Sequence, residues 1–439
     1  VDVANGYDFA NGDADATDDN GHGTMVAGIA SASKDNRAWG AGVAPSATIL
    51  PVKVADALGQ GTDASLAQGI VWAVDRGADI INLSLSGSDG ALLRAAVAYA
   101  LAHDVVVVAA AGNYSLGEVS YPAAYSGVIA VGATGRDDKL AQFSNWGPKV
   151  DLVAPGTSIM STSYDGTVGW ADGTSESSPF VAGAAALLKA VEPSATPLEI
   201  SAQLQTTAED LGAAGWDGRY GSGLVKADPT AGVTFTQGDQ WESDNTSAEA
   251  TLVEQDRVCD HALSPAGDVD WSSFDATAGV SYWAQTVDLW GGADTSMTVY
   301  GPDGRVVASN DDVSASDASS LVQWACVTTG RYRIEVRDAA SKGGGYGLKV
   351  SFELKDAADV GTGDNTVHTA SQIEVGRVYH RSYYPMPEYD NLSFDVVAGR
   401  TYEIVTHDFD PTVDSEAWLY QPLNGGPSID PVWVVQDVD

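Results

Sequence analysis

The sequence predicts an α/β module with a mostly parallel sheet and helices on both faces, followed by all-β sandwich modules. Three observations carry this. Strand-like apolar runs alternate with helix-period segments from residue 1 to about residue 232, the pattern that parallel strands joined by crossover helices produce. Residues 234–248 are rich in Thr, Gln, Asp and Ser and read as a linker. Beyond them, short aromatic and β-branched runs alternate with Gly, Asp and Ser turns, as in antiparallel sandwiches.

In chain order, residues 49–54 are strand-like, and residues 64–76 carry Leu66, Ile70, Val71 and Val74 at helical spacing. Residues 79–85 read as a strand, 91–102 as a helix, and 105–111 and 128–133 as buried strands. Residues 180–191 read as a buried helix beginning at Pro179, a position where proline is tolerated. In the second half, Tyr282, Trp283, Trp290, Tyr300, Trp324, Tyr332 and Tyr346 recur along the strands. Trp290 is expected in the sandwich core rather than on a binding face.

The second half also repeats itself at an offset of 120 residues. Seven of fifteen positions are identical between residues 268–282 and 388–402. Asp244-Asn245-Thr246 matches Asp364-Asn365-Thr366, and Tyr300 and Pro302 match Tyr420 and Pro422. The predicted modules are therefore residues 1–233, a linker at 234–248, a sandwich at 249–355 and a second copy at 356–439. That copy ends where residue 319 of the first would stand, so it is read as truncated.

Composition excludes several functions. A net charge of −38 over 439 residues repels nucleic acid and anionic lipid. No membrane insertion is expected, because the longest apolar run, residues 105–111, falls far short of the ~18 residues needed to span a bilayer. The charge suits an exported protein that binds divalent cations or stays hydrated in salt, or simply a solubility surface. The two cysteines, Cys259 and Cys326, fit either one bridge or two buried thiols. Val1 follows no signal-peptide pattern, which suggests processing or truncation.

Two strings carry the chemistry. Gly21-His22-Gly23-Thr24-Met25-Val26-Ala27-Gly28 puts a histidine at the mouth of a small-residue helix. Gly173-Thr174-Ser175-Glu176-Ser177-Ser178-Pro179 puts a serine at the start of another, where free backbone N–H groups and the helix dipole favour negative charge. Together they resemble the histidine and serine segments of the subtilisin-like serine peptidases (subtilases), and the second half resembles the bacterial pre-peptidase C-terminal domain. The resemblance implies a subtilisin-like sheet and a polypeptide substrate. It implies His22 as general base, Ser175 as nucleophile and Asn113, after Ala-Ala-Gly, as side-chain oxyanion donor.

It further implies substrate-binding edges at Gly59 and Gly61 and at Ser84, Leu85 and Ser86, pairing with an extended peptide, with Ser120 near the pocket floor. Asp8, Asp13 and Asp15 match the carboxylate spacing of a calcium loop. Glu176 departs from the family's usual Met. It either slows the reaction or favours basic substrates. The family's triad runs Asp, His, Ser, yet only 21 residues precede His22, so the chain is read as beginning after its own catalytic Asp and as nearly inactive alone. The rival reading is a non-catalytic scaffold whose β-modules bind a polymer or a cell surface.

Overall fold

The computed structural model describes residues 2–37, 40–226, 239, 241, 242, 244–254, 257–264, 267–314 and 317–353, with four short strands beyond. The chain forms two compact units, Val1–Asp356 with His380–Ser382, and the remainder.

The first unit opens with β1 (Asp2–Val3), β2 (Tyr7–Asp8), α1 (His22–Ser31), β3 (Thr48–Ile49), β4 (Val52–Lys53) and α2 (Asp63–Asp75). It continues with β5 (Ile80–Leu83), α3 (Ala91–Ala102), β6 (Val106–Ala110), β7 (Ile129–Thr134), β8 (Leu152–Pro155), the antiparallel hairpin β9 (Ile159–Thr162) and β10 (Val168–Ala171), α4 (Thr174–Val191) and α5 (Pro197–Thr207). Strands β5-β6-β7-β8 form one parallel sheet in that order. Alternation along β6 sorts the layers, because successive side chains point to opposite faces. Val107 and Ala109 join Ile70, Val74, Leu93, Val97 and Leu101 of α2 and α3 in one core. Val106 and Val108 join Val181, Ala185 and Leu188 of α4 and Ile200 and Leu204 of α5 in the other. Helices thus cover both faces, as the alternation predicts.

Two boundaries differ from expectation. The strand expected over residues 49–54 is two short strands, β3 pairing with β1 and β4 with β2. The helix expected from Pro179 begins five residues earlier, at Thr174, with Pro179 inside it. Proline lacks the N–H that would bond the Ser175 carbonyl, and the Ser84 hydroxyl takes its place, donating to that carbonyl at 2.7 Å.

The sandwich comprises β11 (Thr251–Leu252), β12 (Val258–Ala262), β13 (Val269–Ala276), β14 (Ser281–Trp290), β15 (Thr295–Tyr300), β16 (Val306–Asn310), β17 (Leu321–Ala325), β18 (Gly330–Asp338) and β19 (Gly345–Glu353). One sheet runs β11-β13-β18-β15-β16 and the other β12-β19-β14-β17. Phe274, Tyr282, Trp324, Tyr332 and Tyr346 fill the space between them. Cys259 and Cys326 are buried free thiols in that core. The expected linker is no linker from residue 239 onward. The Trp241 indole donates to the Asp260 carbonyl at 3.0 Å, and Asp239 and Asp244 are buried. In the second unit, β20 (Ser371–Gln372) pairs with β21 (Leu392–Ser393), and β22 (Leu419–Pro422) with β23 (Ile429–Trp433). The rest of the expected second copy lies outside the described residues.

Trp290 is buried, but it joins the core formed with α2 and α3 rather than the sandwich core. Its ring approaches Gly127 at the seam between the α/β module and the sandwich. Beside it, Lys149 is buried and donates to the Val128 carbonyl at 3.1 Å, to Asp151 at 3.1 Å and to Asp260 of β12 at 3.3 Å. Asp260 also accepts from the Ser126 hydroxyl at 2.6 Å, and Asp288 of β14 accepts from the Ser126 N–H at 3.1 Å.

Candidate active site

α1 begins at His22 because Asp18 caps it. Its carboxylate accepts from Gly21 N–H at 2.7 Å, Thr24 N–H at 2.8 Å and the Thr24 hydroxyl at 2.5 Å, satisfying donors that a helix start leaves free. Gly21 itself adopts a left-handed φ of 103° against the Tyr164 ring, where a Cβ would clash. His22 is exposed at the mouth of the helix. Partial desolvation by the surrounding chain lowers its pKa below the ordinary 6.5, while Asp18 pulls the other way. The ring therefore favours the neutral form that a general base needs. Among the described residues no carboxylate is hydrogen-bonded to it.

Ser175 lies in the first turn of α4. Its hydroxyl donates to the Ser84 carbonyl at 3.4 Å, a long contact, and no hydrogen bond joins it to His22 among the described residues. Ser177 and Ser178 are fully buried and committed elsewhere. Ser177 donates to the Ala154 carbonyl at 3.0 Å and Ser178 to Asn82 Oδ1 at 2.6 Å. Neither is free to act as a nucleophile.

The Asn113 amide is oriented from its oxygen end. Oδ1 accepts from the Thr174 N–H at 2.8 Å and the Thr174 hydroxyl at 2.9 Å, which leaves Nδ2 as the open donor beside Gly173. Thr174 Oγ1 also accepts from Gly112 N–H at 3.2 Å. Gly112 has a φ of 110°, and a Cβ there would meet Asn145 Nδ2 at 2.5 Å. Asn145 is fully buried and ties the region together, accepting from Tyr114 and Leu116 N–H groups and donating to the Ala111 carbonyl and the Ser120 hydroxyl. Ser120 is thus a support beneath the Gly112–Asn113 turn.

Ser84 is buried and stapled to the nucleophile turn, with Asn82 Nδ2 donating to its hydroxyl at 3.0 Å. Leu85 and Ser86 follow toward solvent. On the other side, the Asp56 carboxylate accepts from Leu58 and Gln60 N–H groups at 2.9 Å and curls the loop that carries Gly59, whose φ is 77°. Asn20 donates to Ala57 at 3.1 Å and so ties this loop, and Gly61 after it, to the start of α1. The structure therefore ties Gly59 and Gly61 to the His22 segment, and Ser84 and Asn113 to the Ser175 turn. Sequence reasoning missed Asp18, Asn82, Asn145 and Thr174 as positioning residues. Only Thr174 carried a signal, as the middle of Gly-Thr-Ser.

The acidic loop is arranged differently from expectation. Asp8 is buried, pairs with Lys53 at 3.0 Å and accepts from Ala10 and Asn11 N–H groups. Asp13 and Asp15 each accept from the backbone two residues on. Among the described residues these three carboxylates are not gathered within 4.8 Å of one another. A calcium cage built on Asp8, Asp13 and Asp15 does not fit this geometry, because Lys53 already neutralises the buried member.

Two parts of the chain match known families. The profile described as Subtilase family matches residues 1–223, and that described as Bacterial pre-peptidase C-terminal domain matches residues 268–338. The chain is 44% identical over 229 residues to Subtilisin Savinase of Lederbergia lenta, covering 52% of this chain and 84% of that protein. It is equally identical to an Alkaline protease of Shouchella clausii, of which it spans 59%. It is 42% identical over 226 residues to the Minor extracellular protease Epr of Bacillus subtilis, covering 51% of this chain and 35% of that one. A cold adapted subtilisin-like serine proteinase of known structure is 36% identical, with a TM-score of 0.46 over 51% of this chain and 79% of that one.

Proposed function

The chain belongs to the subtilase family of serine peptidases, and on that premise we propose that it is the catalytic part of a secreted serine endopeptidase. Ser175 Oγ attacks the scissile carbonyl as His22 takes its proton. His22 then passes that proton to the leaving amine, and water releases the acyl group by the same path in reverse. Asn113 Nδ2 and the Ser175 N–H hold the oxyanion. The edges at Ser84–Ser86 and Gly59–Gly61 flank an extended peptide. The observation that carries this reading is the Asn113 amide, locked by Thr174 with its donor end toward the Ser175 turn while Ser177 and Ser178 are tied away. Export is supported by the acidic surface and by the extracellular relative named above.

The Asp18 oxygens are occupied by Gly21, Asn20 and Thr24, so Asp18 does not orient His22. In subtilisin the loss of the triad aspartate alone costs about 3 × 10⁴ in kcat, and these 439 residues by themselves are proposed to turn over at that reduced level. Among the described residues no carboxylate is bonded to the His22 ring, which also favours a second reading, a non-catalytic scaffold. A fluorophosphonate probe decides between them. Slow labelling of Ser175 that disappears in Ser175→Ala is expected. No labelling after prolonged exposure would sink the peptidase reading in favour of the scaffold.

Glu176 makes the site pH-sensitive. Burial pushes its carboxyl up to about 7, against its own backbone N–H, and Asp172 adds to the rise. A raised acid stabilises the fold while protonated, so its contribution is complete below the ordinary 4.5 and lost as pH rises through about 7. Above that pH a carboxylate also stands beside the oxyanion. Glu176→Gln is expected to keep kcat/KM and melting temperature above pH 7, where both decline in the parent. Superimposable pH profiles from 5.5 to 9 would count against this role.

A further inference from the structure

A third polar group borders the oxyanion site. Glu176 follows the nucleophile in the first turn of α4 and is 3% exposed. Its carboxyl reaches back over Gly173. A Cβ built on Gly173 would stand 2.7 Å from Glu176 Oε2 and 3.5 Å from both Asn113 Nδ2 and Ser175 N. The carboxyl oxygen and the two oxyanion donors therefore surround one small space, which glycine at 173 keeps free of a side chain. A tetrahedral oxyanion must sit within about 3.1 Å of both nitrogens, so it forms beside Oε2.

What the carboxyl does there depends on its proton. An ionised carboxylate can only accept, and it repels the developing charge. A carboxylic acid carries one O–H donor. Burial is the largest influence and favours the acid, whereas the carboxyl's own backbone N–H favours the anion. Asp172, in the turn after β10, adds to the rise. The positive end of the α4 dipole pulls toward the anion, but burial and Asp172 prevail, and the acid form persists up to about 7. Among the described residues Asp172 is the charged side chain that acts on Glu176. His22, on α1, responds to burial and to Asp18 instead. Among the described residues no acceptor is hydrogen-bonded to the Glu176 carboxyl, so its O–H is uncommitted.

We propose that Glu176, as a neutral carboxylic acid, is a third hydrogen-bond donor to the oxyanion, beside Asn113 Nδ2 and the Ser175 N–H. This role rests on the peptidase reading above and adds one catalytic residue to it. When Ser175 Oγ bonds to the carbonyl carbon, the π pair moves onto oxygen and the Oγ proton goes to His22. Glu176 keeps its own proton and shares it with the oxyanion in a hydrogen bond. Such a bond to a full charge is short and strong, and it forms only once the charge exists. Reaction then needs His22 neutral and Glu176 protonated. His22 titrates below its ordinary 6.5 and Glu176 at about 7, so turnover peaks between the two.

The full chain and its Glu176→Gln and Glu176→Met variants are labelled at Ser175 with a fluorophosphonate from pH 5.5 to 9. Ser175 Oγ displaces fluoride from phosphorus, His22 takes the proton, and the phosphonyl oxygen occupies the oxyanion site. Glutamine keeps a donor without a charge, and methionine keeps neither. The parent rate is expected to fall as pH rises through about 7, and the glutamine variant to show no such fall. Glu176→Met is expected to label roughly 10–100-fold slower than Glu176→Gln at every pH, the worth of one hydrogen bond to a charged group. Infrared difference spectra of the parent at pH 6 are expected to hold a protonated carboxyl band, absent in Glu176→Gln, that shifts on phosphonylation. Equal rates for the glutamine and methionine variants would overturn the donor role while leaving the peptidase reading intact. So would a carboxyl band that phosphonylation leaves in place. A parent that never labels sinks both.

Discussion

Replacing Asn113 with leucine is expected to lower kcat by about 10²–10³ while leaving KM within a few-fold. The reason lies in when the contact forms. The ground-state carbonyl carries little charge and gains little from Nδ2. The tetrahedral oxyanion carries a full charge in a site with few competing waters, so the donor acts on the transition state alone. The amide is held in advance, with Oδ1 accepting two hydrogen bonds from Thr174, so no reorientation is needed as charge develops. Thr174→Val removes one of those bonds and the acceptor for Gly112 N–H, and roughly a tenfold loss in kcat is expected from loosened positioning. Hydrolysis of a chromogenic peptide by parent and variants separates kcat from KM. A leucine variant whose loss falls wholly on KM would assign Asn113 to substrate binding instead.

Lys149→Met is expected to destabilise the first unit by about 3–5 kcal/mol, because it strands two carboxylates that were buried for that one ammonium. Lys149 bridges Asp151 of the α/β module and Asp260 of the sandwich, at 3.1 and 3.3 Å. All three are largely removed from water; burial pulls the Lys149 pKa down, but the Asp151 and Asp260 carboxylates outweigh it and raise it, so the ammonium stays charged. Asp151 is itself raised, by burial first, against the pull of Lys149. A raised acid becomes neutral more readily as pH falls, so the penalty of Lys149→Met is expected to shrink in acid. Urea unfolding at pH 8 and pH 5 measures both points. A loss under about 1 kcal/mol at pH 8 would mean that water reaches the pair and that the seam is held by Trp290 and its apolar neighbours alone.

The parts of this protein that were legible in its sequence are those whose signal is local. The helix at Ala91–Ala102 matches its expected bounds, and the strands at 106–110 and 129–134 fall within a residue of theirs, because one-face burial of a helix writes a period of 3.6 and two-face burial of a strand writes a short continuous apolar run. The His22 and Ser175 strings were readable because tight turns and close helix approaches demand particular residues at fixed spacing. Gly28, for instance, packs against Ser161 and Thr162 with no room for a Cβ. The start of α4 was misplaced because a proline inside a helix is unfavourable locally. What makes it tolerable is Ser84, 91 residues away along the chain.

The remaining errors share that cause. Residues 239–248 have the polar composition of a linker, and nothing local says that Asp239 and Asp244 are buried against β12 and β13. Trp290 alternates correctly for the sandwich, but its neighbour across the seam is Gly127, reached only when two modules meet. Asp8 has the spacing of a calcium ligand, but Lys53 claims it from the adjacent strand. By itself the sequence determined the family and the α/β and β-sandwich architecture, and it supplied the proposed nucleophile, general base and oxyanion donor. The tertiary structure alone decided which carboxylates face a lysine, which residues pre-set the Asn113 amide, and how the sandwich grips the α/β module. Those depend on pairs far apart in sequence, whose contact energies no local window of residues contains.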